Sequence, residues 1–244
     1  MEVSCTVQLL AGLAEVLSPM RCAGCDLPGS LLCTPCRAAL PLIPYAESCP
    51  RCGARTVAGR CTECRGRDFA FDAASCAGIL DGPLSRMLSL YKDAGERRYA
   101  PILGALAADA AARWRGWADA VVPIPPTRAA RARRGFDHVV PLANPVAAAL
   151  DAPLLPCLRA ARRVDQRGLG REERMTNMAG AFVALPVEVA PQRVVLVDDV
   201  ITTGSTLDAA ATVLKAVGVR AVRVVSVARA QDRPLVLHDR LRAK

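Results

Sequence analysis

Eight of the chain's eleven cysteines fall into four C-x-x-C pairs, and this spacing constrains the first quarter of the chain more than any other feature. Seven residues separate the first pair from the second, and eight separate the third from the fourth, so one unit is repeated in tandem. A two-residue spacer lets a tight turn direct two thiolates to one tetrahedral ion, and a second turn completes the ligand shell. The spacing therefore predicts two four-cysteine metal sites. Their ligands would be Cys22, Cys25, Cys33, Cys36, Cys49, Cys52, Cys61 and Cys64.

Four thiolates without a histidine are typical of structural zinc, which leaves no open coordination position for catalysis. A redox dithiol needs only one such pair, so the repeated spacing favours metal over redox chemistry. We favour ligand sets drawn from consecutive pairs, so that the four cysteines of 22–36 bind one ion and the four of 49–64 bind the other. A crossed arrangement, which exchanges alternate pairs between the two ions, remains open. Cys5, Cys76 and Cys157 have no matching partner.

Charge and hydropathy limit the classes of protein further. Residues 1–68 carry seven basic and six acidic residues, so most of the net charge of +9 lies in 69–244. No stretch approaches the ~20 apolar residues of a membrane span. The first 19 residues lack the basic start of a signal peptide and include Glu15, so they predict a short amphipathic helix. We expect a cytoplasmic protein without membrane insertion, with a helix and double zinc ribbon in 1–68 and an α/β domain in 69–244.

A short apolar strand, a hydroxyl-rich loop and a helix follow one another late in the chain. Val194–Val197 is an apolar run typical of a buried parallel strand, and the spacing over 206–217 is helical, with Gly218 as its stop. Between them lie Thr202, Thr203, Gly204, Ser205 and Thr206. Backbone N–H groups at a helix N-terminus, together with hydroxyls, are a typical phosphate cradle.

Two adjacent carboxylates, Asp198 and Asp199, stand at the carboxyl end of that strand, where open α/β sheets bind ligands. Such a pair can accept hydrogen bonds from a sugar diol and can help to hold Mg²⁺. A nucleoside triphosphatase also has an apolar strand that ends in aspartate, but it needs a G-x-x-x-x-G-K-[ST] loop. The lysines are Lys92, Lys215 and Lys244, and none of them follows such a loop.

The segment VVLVDDVITTGSTL resembles the phosphoribosyl pyrophosphate (PRPP) motif of the type I phosphoribosyltransferases. With the cysteine module in front, the chain resembles the ComF (competence protein F, GntX-like) family from about Cys22 to Ala228. The resemblance implies the type I phosphoribosyltransferase fold, a parallel sheet with helices on both faces and a hood, preceded by a double zinc ribbon. It also implies that Asp198 and Asp199 are the catalytic pair on the ribose hydroxyls, and that the loop 202–206 takes the 5-phosphate.

Three further stretches carry the resemblance. Residues 121–138 contain the family's R-G-F at 134–136, but Asp137 and His138 stand where Asn and Gln are usual. Residues 71–98 contain its Gly-Pro and Lys landmarks.

Candidates for holding pyrophosphate are Lys92, Arg128, Arg131, Arg133 and Arg134. The stretch 165–182 supplies candidate lid residues Gln166, Arg174 and Asn177, and a charged linker is the alternative there. We assign His138 and His238 no catalytic role.

Periodicity gives the remaining elements. It predicts a β-rich lead-in over 69–92, helices over 96–113, 138–150 and 206–217, and strands over 119–124, 194–198 and 221–228. The resemblance implies that the β-rich lead-in is part of the hood. Such alternation gives a parallel sheet with helices on both faces.

The function implied is transfer of the ribose 5-phosphate of PRPP to an acceptor, with displacement of pyrophosphate at C1 and with Mg²⁺. The alternative is a non-catalytic competence factor that binds single-stranded DNA in the same pocket. A third reading is a regulatory protein with a vestigial pocket. The resemblance further implies a role in DNA uptake or nucleotide metabolism, with a competence helicase or another protein as partner.

Overall fold

A four-stranded parallel sheet forms the centre of the fold. The computed structural model describes residues 20–161 and 180–231. The sheet has the strand order β1-β6-β5-β2, and all three pairings are parallel. Its strands are β1 (Ala73–Ile79), β2 (Ala120–Pro123), β5 (Arg193–Ile201) and β6 (Ala221–Arg229). A separate antiparallel pair consists of β3 (Leu158–Ala160) and β4 (Phe182–Ala184).

Helices cover both faces of the sheet, as the alternation predicts. The described helices are α1 (Thr34–Ala38), α2 (Gly82–Lys92), α3 (Ala100–Ala111), α4 (Arg128–Arg134), α5 (Val140–Leu150) and α6 (Ser205–Ala216). Val195 and Val197 share a core with α2, α3 and α5, whereas Val194 and Leu196 share a second core with α6 and the β3–β4 pair. Successive side chains of a strand point to opposite faces, so the apolar run of β5 fills both cores.

The prediction of a β-rich hood over 69–92 is wrong. Ala73–Ile79 is an edge strand of the main sheet, in parallel register with β6, and the rest of the segment is helix α2. Leu84, Met87, Leu88 and Tyr91 are buried on one side of α2, which is the spacing of a helix that covers a core. At the start of this helix the Asp81 side chain accepts a hydrogen bond from the Gly82 amide at 2.8 Å.

The other predicted elements agree with the structure to within a few residues. The predicted helix over 96–113 is observed as α3 flanked by two single 3₁₀ turns, Arg97–Tyr99 and Ala112–Trp114. The predicted N-terminal helix in 1–19 lies outside the described residues. Among the described helices, none is long and apolar enough to cross a membrane.

The cysteine-rich segment packs directly on the α/β core. Cys22, Ala23 and Leu32 belong to the same buried cluster as α2 and α3. On the other side, the amide of Ala74 in β1 donates to the Pro50 carbonyl at 2.9 Å. The edge of β1 is also covered, because the Ile43 amide donates to the Ala77 carbonyl at 2.9 Å. A covered edge cannot pair with another chain.

Candidate functional site

The two predicted carboxylates lie at the carboxyl end of β5, in the middle of the sheet. Asp198 is in register with Ser226 of β6, and one of its oxygens accepts the Asp199 amide at 2.9 Å. Asp199 is 6% exposed. Burial raises the pKa of Asp198 well above its usual range, and the adjacent Asp199 carboxylate raises it further. The pair is therefore a constrained acceptor site in which added negative charge is unfavourable and a donor or cation is favoured.

The predicted phosphate loop connects these carboxylates to helix α6. Gly204 has φ +82° in the left-handed region and immediately precedes the first helical residue, Ser205. The Thr203 Oγ1 lies 2.9 Å from the Ser205 Oγ and accepts the Ser205 amide at 3.3 Å. Thr202, Thr203 and Thr206 are exposed. The loop thus presents hydroxyls at the positive end of a helix dipole, where an anion is stabilised.

Two groups from other elements contact Asp199, and Arg134 contacts one of them. The Lys92 Nζ, at the end of α2, donates to the Asp199 Oδ2 at 3.1 Å. The His138 Nε2 lies 3.5 Å from the same oxygen, and the Arg134 guanidinium lies 3.3 Å from the imidazole nitrogens. Arg134 also pairs with Asp93 at 3.8 Å. Of the predicted pyrophosphate candidates, Lys92 therefore contacts a site carboxylate, and Arg134 lies beside the histidine next to it.

The neutral form of His138 is favoured in this setting. Burial lowers its pKa below the usual 6.5, the charges of Arg134 and Lys92 act in the same direction, and Asp199 opposes them. An uncharged imidazole leaves the Lys92 ammonium as the cation in contact with Asp199. The sequence interpretation gave His138 no catalytic role, and the structure places it 3.5 Å from a predicted site carboxylate.

The remaining basic candidates do not enter this network in the part of the chain that the structure describes. Arg128, Arg131 and Arg133 are exposed on helix α4, which follows β2. Asp137 is used locally, because its carboxylate accepts the amides of Val139 and Val140 at the start of α5 at 3.0 and 3.2 Å. The lid candidates Gln166, Arg174 and Asn177 lie outside the described residues.

The eight paired cysteines form two clusters in the order of the sequence. The sulphur atoms of Cys22, Cys25, Cys33 and Cys36 all lie within 4.8 Å of one another, as do those of Cys49, Cys52, Cys61 and Cys64. We call these the first and second clusters. The grouping is sequential, so the crossed arrangement is not the one observed. Both clusters have the donor set and spacing of a four-thiolate metal site.

The turns around the first cluster are shaped for close sulphur packing. A Cβ on Gly24 would lie 2.4 Å from the Cys36 Sγ, so only glycine fits between the two ligand turns. The Cys33 amide donates to the Cys22 Sγ at 3.4 Å. Although burial raises the pKa of Cys22, hydrogen bonds from backbone amides and the Cys33 thiol lower it to about 6 overall. In the same cluster, hydrogen bonding to the Cys33 thiol and burial raise the pKa of Cys36 to about 12. Cys22 is thus the thiol held as a thiolate near neutral pH, the form that ligates metal.

One residue near the loop was missed by sequence reasoning. Arg229, the last residue of β6, is 2% exposed and donates to the carbonyls of Ile201 and Thr202 at the base of the loop. The sequence signal that points to Arg229 is a basic residue at the end of a largely apolar strand. In the structure Arg229 is in register with Ile201, at the carboxyl end of β5. His138 carries no comparable signal.

Comparison with known proteins identifies the family. A phosphoribosyl transferase domain model matches residues 137–240. The chain is 31% identical to Competence protein F of Haemophilus influenzae over 210 residues, which is 82% of this chain and 90% of that protein. The chain belongs to the competence protein F family. A second member of similar extent is Competence protein ComFC of Streptococcus pneumoniae, 24% identical over 202 residues, 82% of this chain and 88% of that protein.

The fold of this family member is that of the type I phosphoribosyltransferases, with the four-cysteine clusters in front of it. Among solved structures, an orotate phosphoribosyltransferase from Aeropyrum pernix matches at a TM-score of 0.35 and 20% identity, over 59% of this chain and 76% of that chain. The glutamine PRPP amidotransferase of B. subtilis matches at 0.36 and 24% identity, over 52% of this chain and 26% of that chain. The chain thus spans about a quarter of the amidotransferase's length.

Proposed function

We propose that this competence protein F family member binds PRPP, or another ribose 5-phosphate, at the carboxyl end of β5 and transfers the phosphoribosyl group to an acceptor. The observation that supports this most strongly is the placement of a carboxylate pair, Asp198 and Asp199, directly before a hydroxyl-rich loop that opens a helix. A ribose 5-phosphate has a diol and a phosphate on opposite sides of one ring. The two halves of the site match those two groups.

In this proposal the carboxylates accept hydrogen bonds from the ribose 2- and 3-hydroxyls, and the loop 202–206 receives the 5-phosphate. The constraint on Asp198, whose Oδ1 is held by the Asp199 amide, orients the pair before the sugar arrives. Preformed acceptors cost little reorganisation on binding, and positioning contributes a large part of such catalysis.

The pyrophosphate would leave toward the cationic side of the site. Lys92 contacts Asp199, and Arg134 lies beside the neighbouring His138. Arg128, Arg131 and Arg133 add positive charge on the exposed helix α4. Mg²⁺ bound with PRPP would neutralise part of the pyrophosphate charge. Because Lys92 pairs with Asp199, ligand binding exchanges that ion pair for contacts to the substrate. Release of pyrophosphate leaves positive charge at C1, which the carboxylates stabilise.

We further propose that each cysteine cluster binds a structural zinc ion. The cysteine module of 1–68 and the phosphoribosyl domain of 69–244 would then be two units in contact. Four thiolates per cluster, with no histidine, fit zinc better than harder cations. Because these thiols must stay reduced to hold metal, the proposal also places the protein in the cytoplasm.

The experiment that tests the function is calorimetric titration of the zinc-loaded chain with PRPP and Mg²⁺. Wild type should show saturable binding, and Asp198→Asn should weaken it by at least about tenfold, since a hydrogen bond to a charged group contributes about 1.5–3 kcal/mol. The double variant Asp198→Asn/Asp199→Asn should abolish it. Asp198→Asn should not lower stability at pH 7, because a carboxyl whose pKa is raised by folding destabilises the fold when ionised.

A matched control is Asp109→Asn/Asp151→Asn, which removes the same charge from two exposed aspartates outside the site. It should bind PRPP as wild type does. Equal loss in the control would mean that net charge, not the site, determines binding. Failure of wild type to bind PRPP, with retained binding of a single-stranded oligonucleotide, would replace the transferase by the DNA-binding alternative that the exposed arginines of α4 favour.

A further inference from the structure

A buried arginine lies between the second cysteine cluster and the phosphate loop. Arg229 is 2% exposed, and a buried guanidinium costs several kcal/mol unless its donors are satisfied. Its nearest carboxylate among the described residues, Glu63, is 3.9 Å away. The hydrogen bonds of Arg229 instead go to backbone carbonyls, so this side chain fixes the positions of peptide groups.

One of those carbonyls is that of the adjacent Ala230, at 2.6 Å. The others belong to two functional segments. On one side the Arg229 Nε donates to the carbonyl of Cys52, a member of the second cluster, at 3.3 Å. On the other side its Nη1 donates to the Ile201 carbonyl at 3.1 Å and to the Thr202 carbonyl, which are the last two before Thr203. Since Glu63 lies between two further cluster cysteines in the chain, both ligand turns of the second cluster border the same guanidinium.

A second contact joins the same two segments independently. Phe69 packs against the buried cysteines of the second cluster. One of its ring carbons lies 3.2 Å from the position of a Cβ on Gly204, so the ring is in contact with the loop. The next amide, that of Ala70, donates to the Asp208 carboxylate in the first turn of α6 at 2.6 Å. The loop and the helix that follows it therefore rest on the second cluster and its exit segment.

We propose that metal in the second cluster holds the phosphate loop in its anion-binding conformation through Arg229, so that metal and ribose phosphate bind cooperatively. This rests on the proposed function for its ligand. Without metal, the turns of Cys52 and Glu63 lose their common restraint, and Arg229 loses the fixed acceptor that opposes the loop. Arg229 is a positioning residue, because it contacts the backbone of the loop and not the ligand.

The first cluster provides an internal control. Its described contacts are with helix α2 and its neighbours: Arg86 donates to the Asp26 carboxylate at 2.9 Å, and the Tyr99 hydroxyl donates to the Arg21 carbonyl at 3.0 Å. These contacts lead away from the loop. Loss of metal from the first cluster should therefore leave the loop unchanged.

The direct test is hydrogen exchange of loop amides on the full chain. Peptides that cover 201–208 should exchange at least about tenfold faster in Cys61→Ser, which disables the second cluster, and at the wild-type rate in Cys25→Ser, which disables the first. Arg229→Lys should reproduce the faster exchange while metal analysis still finds both zinc ions. This readout needs no ligand, so it distinguishes failure of the coupling from failure of PRPP binding. Unchanged loop exchange in Cys61→Ser, or equal effects of the two cysteine variants, would overturn the proposal.

The reciprocal measurement is transfer of zinc to a chelating indicator. Saturating PRPP with Mg²⁺ should lower the dissociation constant of one of the two zinc ions by about tenfold. The coupling between two sites is equal in both directions and is commonly about 5–150-fold. The protection should persist in Cys25→Ser and disappear in Arg229→Lys. Protection of both ions, or protection that survives in Arg229→Lys, would contradict the role of Arg229. If PRPP does not bind at all, the proposed function fails and the exchange experiment alone decides the coupling.

Discussion

Replacing Gly53 by alanine should displace the second cluster from strand β1. Gly53 follows the cluster residue Cys52 directly and has φ +71°. A Cβ there would lie 2.6 Å from the Cys76 Sγ and 3.2 Å from the Cys76 amide nitrogen, both in β1. The sulphur is buried, and it accepts a hydrogen bond from the Ser226 hydroxyl at 3.2 Å, so it has little freedom to retreat.

The magnitude follows from two separate costs. An alanine in the left-handed region costs roughly 1–2 kcal/mol. Overpacking of a tightly packed contact adds typically about 1–3 kcal/mol. Gly59, in the same cysteine module, has the same φ of +71° but nothing within 4 Å of its Cβ position, so Gly59→Ala carries the first cost alone. The two variants should therefore differ by on the order of 1–3 kcal/mol.

The assay is urea unfolding of the zinc-loaded chain, with metal analysis of each variant. Gly59→Ala should retain two zinc ions and lose only the smaller increment of unfolding free energy. Gly53→Ala should lose more of the unfolding free energy than Gly59→Ala does, and it should release zinc from the second cluster more readily. Adding Cys76→Ala should recover part of the loss in the Gly53→Ala background, because it removes the closest atom. Equal losses in the two glycine variants, or no recovery in the double variant, would refute the reasoning.

Two other predictions concern acid stability and metal content. Because folding lowers the pKa of His138, its neutral form contributes stability that is present above pH 6.5 and is lost as the pH falls through the lowered value. The urea midpoint of His138→Gln should thus decline less than that of wild type between pH 7 and about 5, and parallel curves would contradict this. Metal analysis should find two zinc ions per chain, and in Cys25→Ser a protease should cut 20–45 first; fewer than two ions in wild type would contradict the two-site assignment.

Several features of this family member could be predicted from short stretches of sequence. The cysteine pairs, the carboxylates Asp198 and Asp199 and the loop 202–206 are each contained in a few neighbouring residues. A two-residue spacer or a strand–loop–helix order constrains the local backbone whatever surrounds it. The parallel sheet with helices on both faces followed from the alternation of elements for the same reason.

The error over 69–92 arose where local pattern and tertiary context compete. Small residues in Ala73–Ile79 do not reveal whether a strand belongs to the main sheet or to a peripheral one, and its pairing with β6 decides that. The spacing of Leu84, Met87, Leu88 and Tyr91 in the sequence is helical and indicates the helix that the structure shows.

The sequence by itself determined which residues are candidates to ligate metal, accept a diol or cradle a phosphate, because those candidacies depend on residue type and short spacing. Only the tertiary structure decided which groups meet. Lys92 contacts Asp199 across 107 residues of chain, and Arg229 contacts Cys52 across 177. Such contacts depend on the strand order, which brings β5 and β6 side by side and places the ends of both strands at one edge of the sheet. No local spacing encodes that order, since it results from the burial of both faces of the sheet at once.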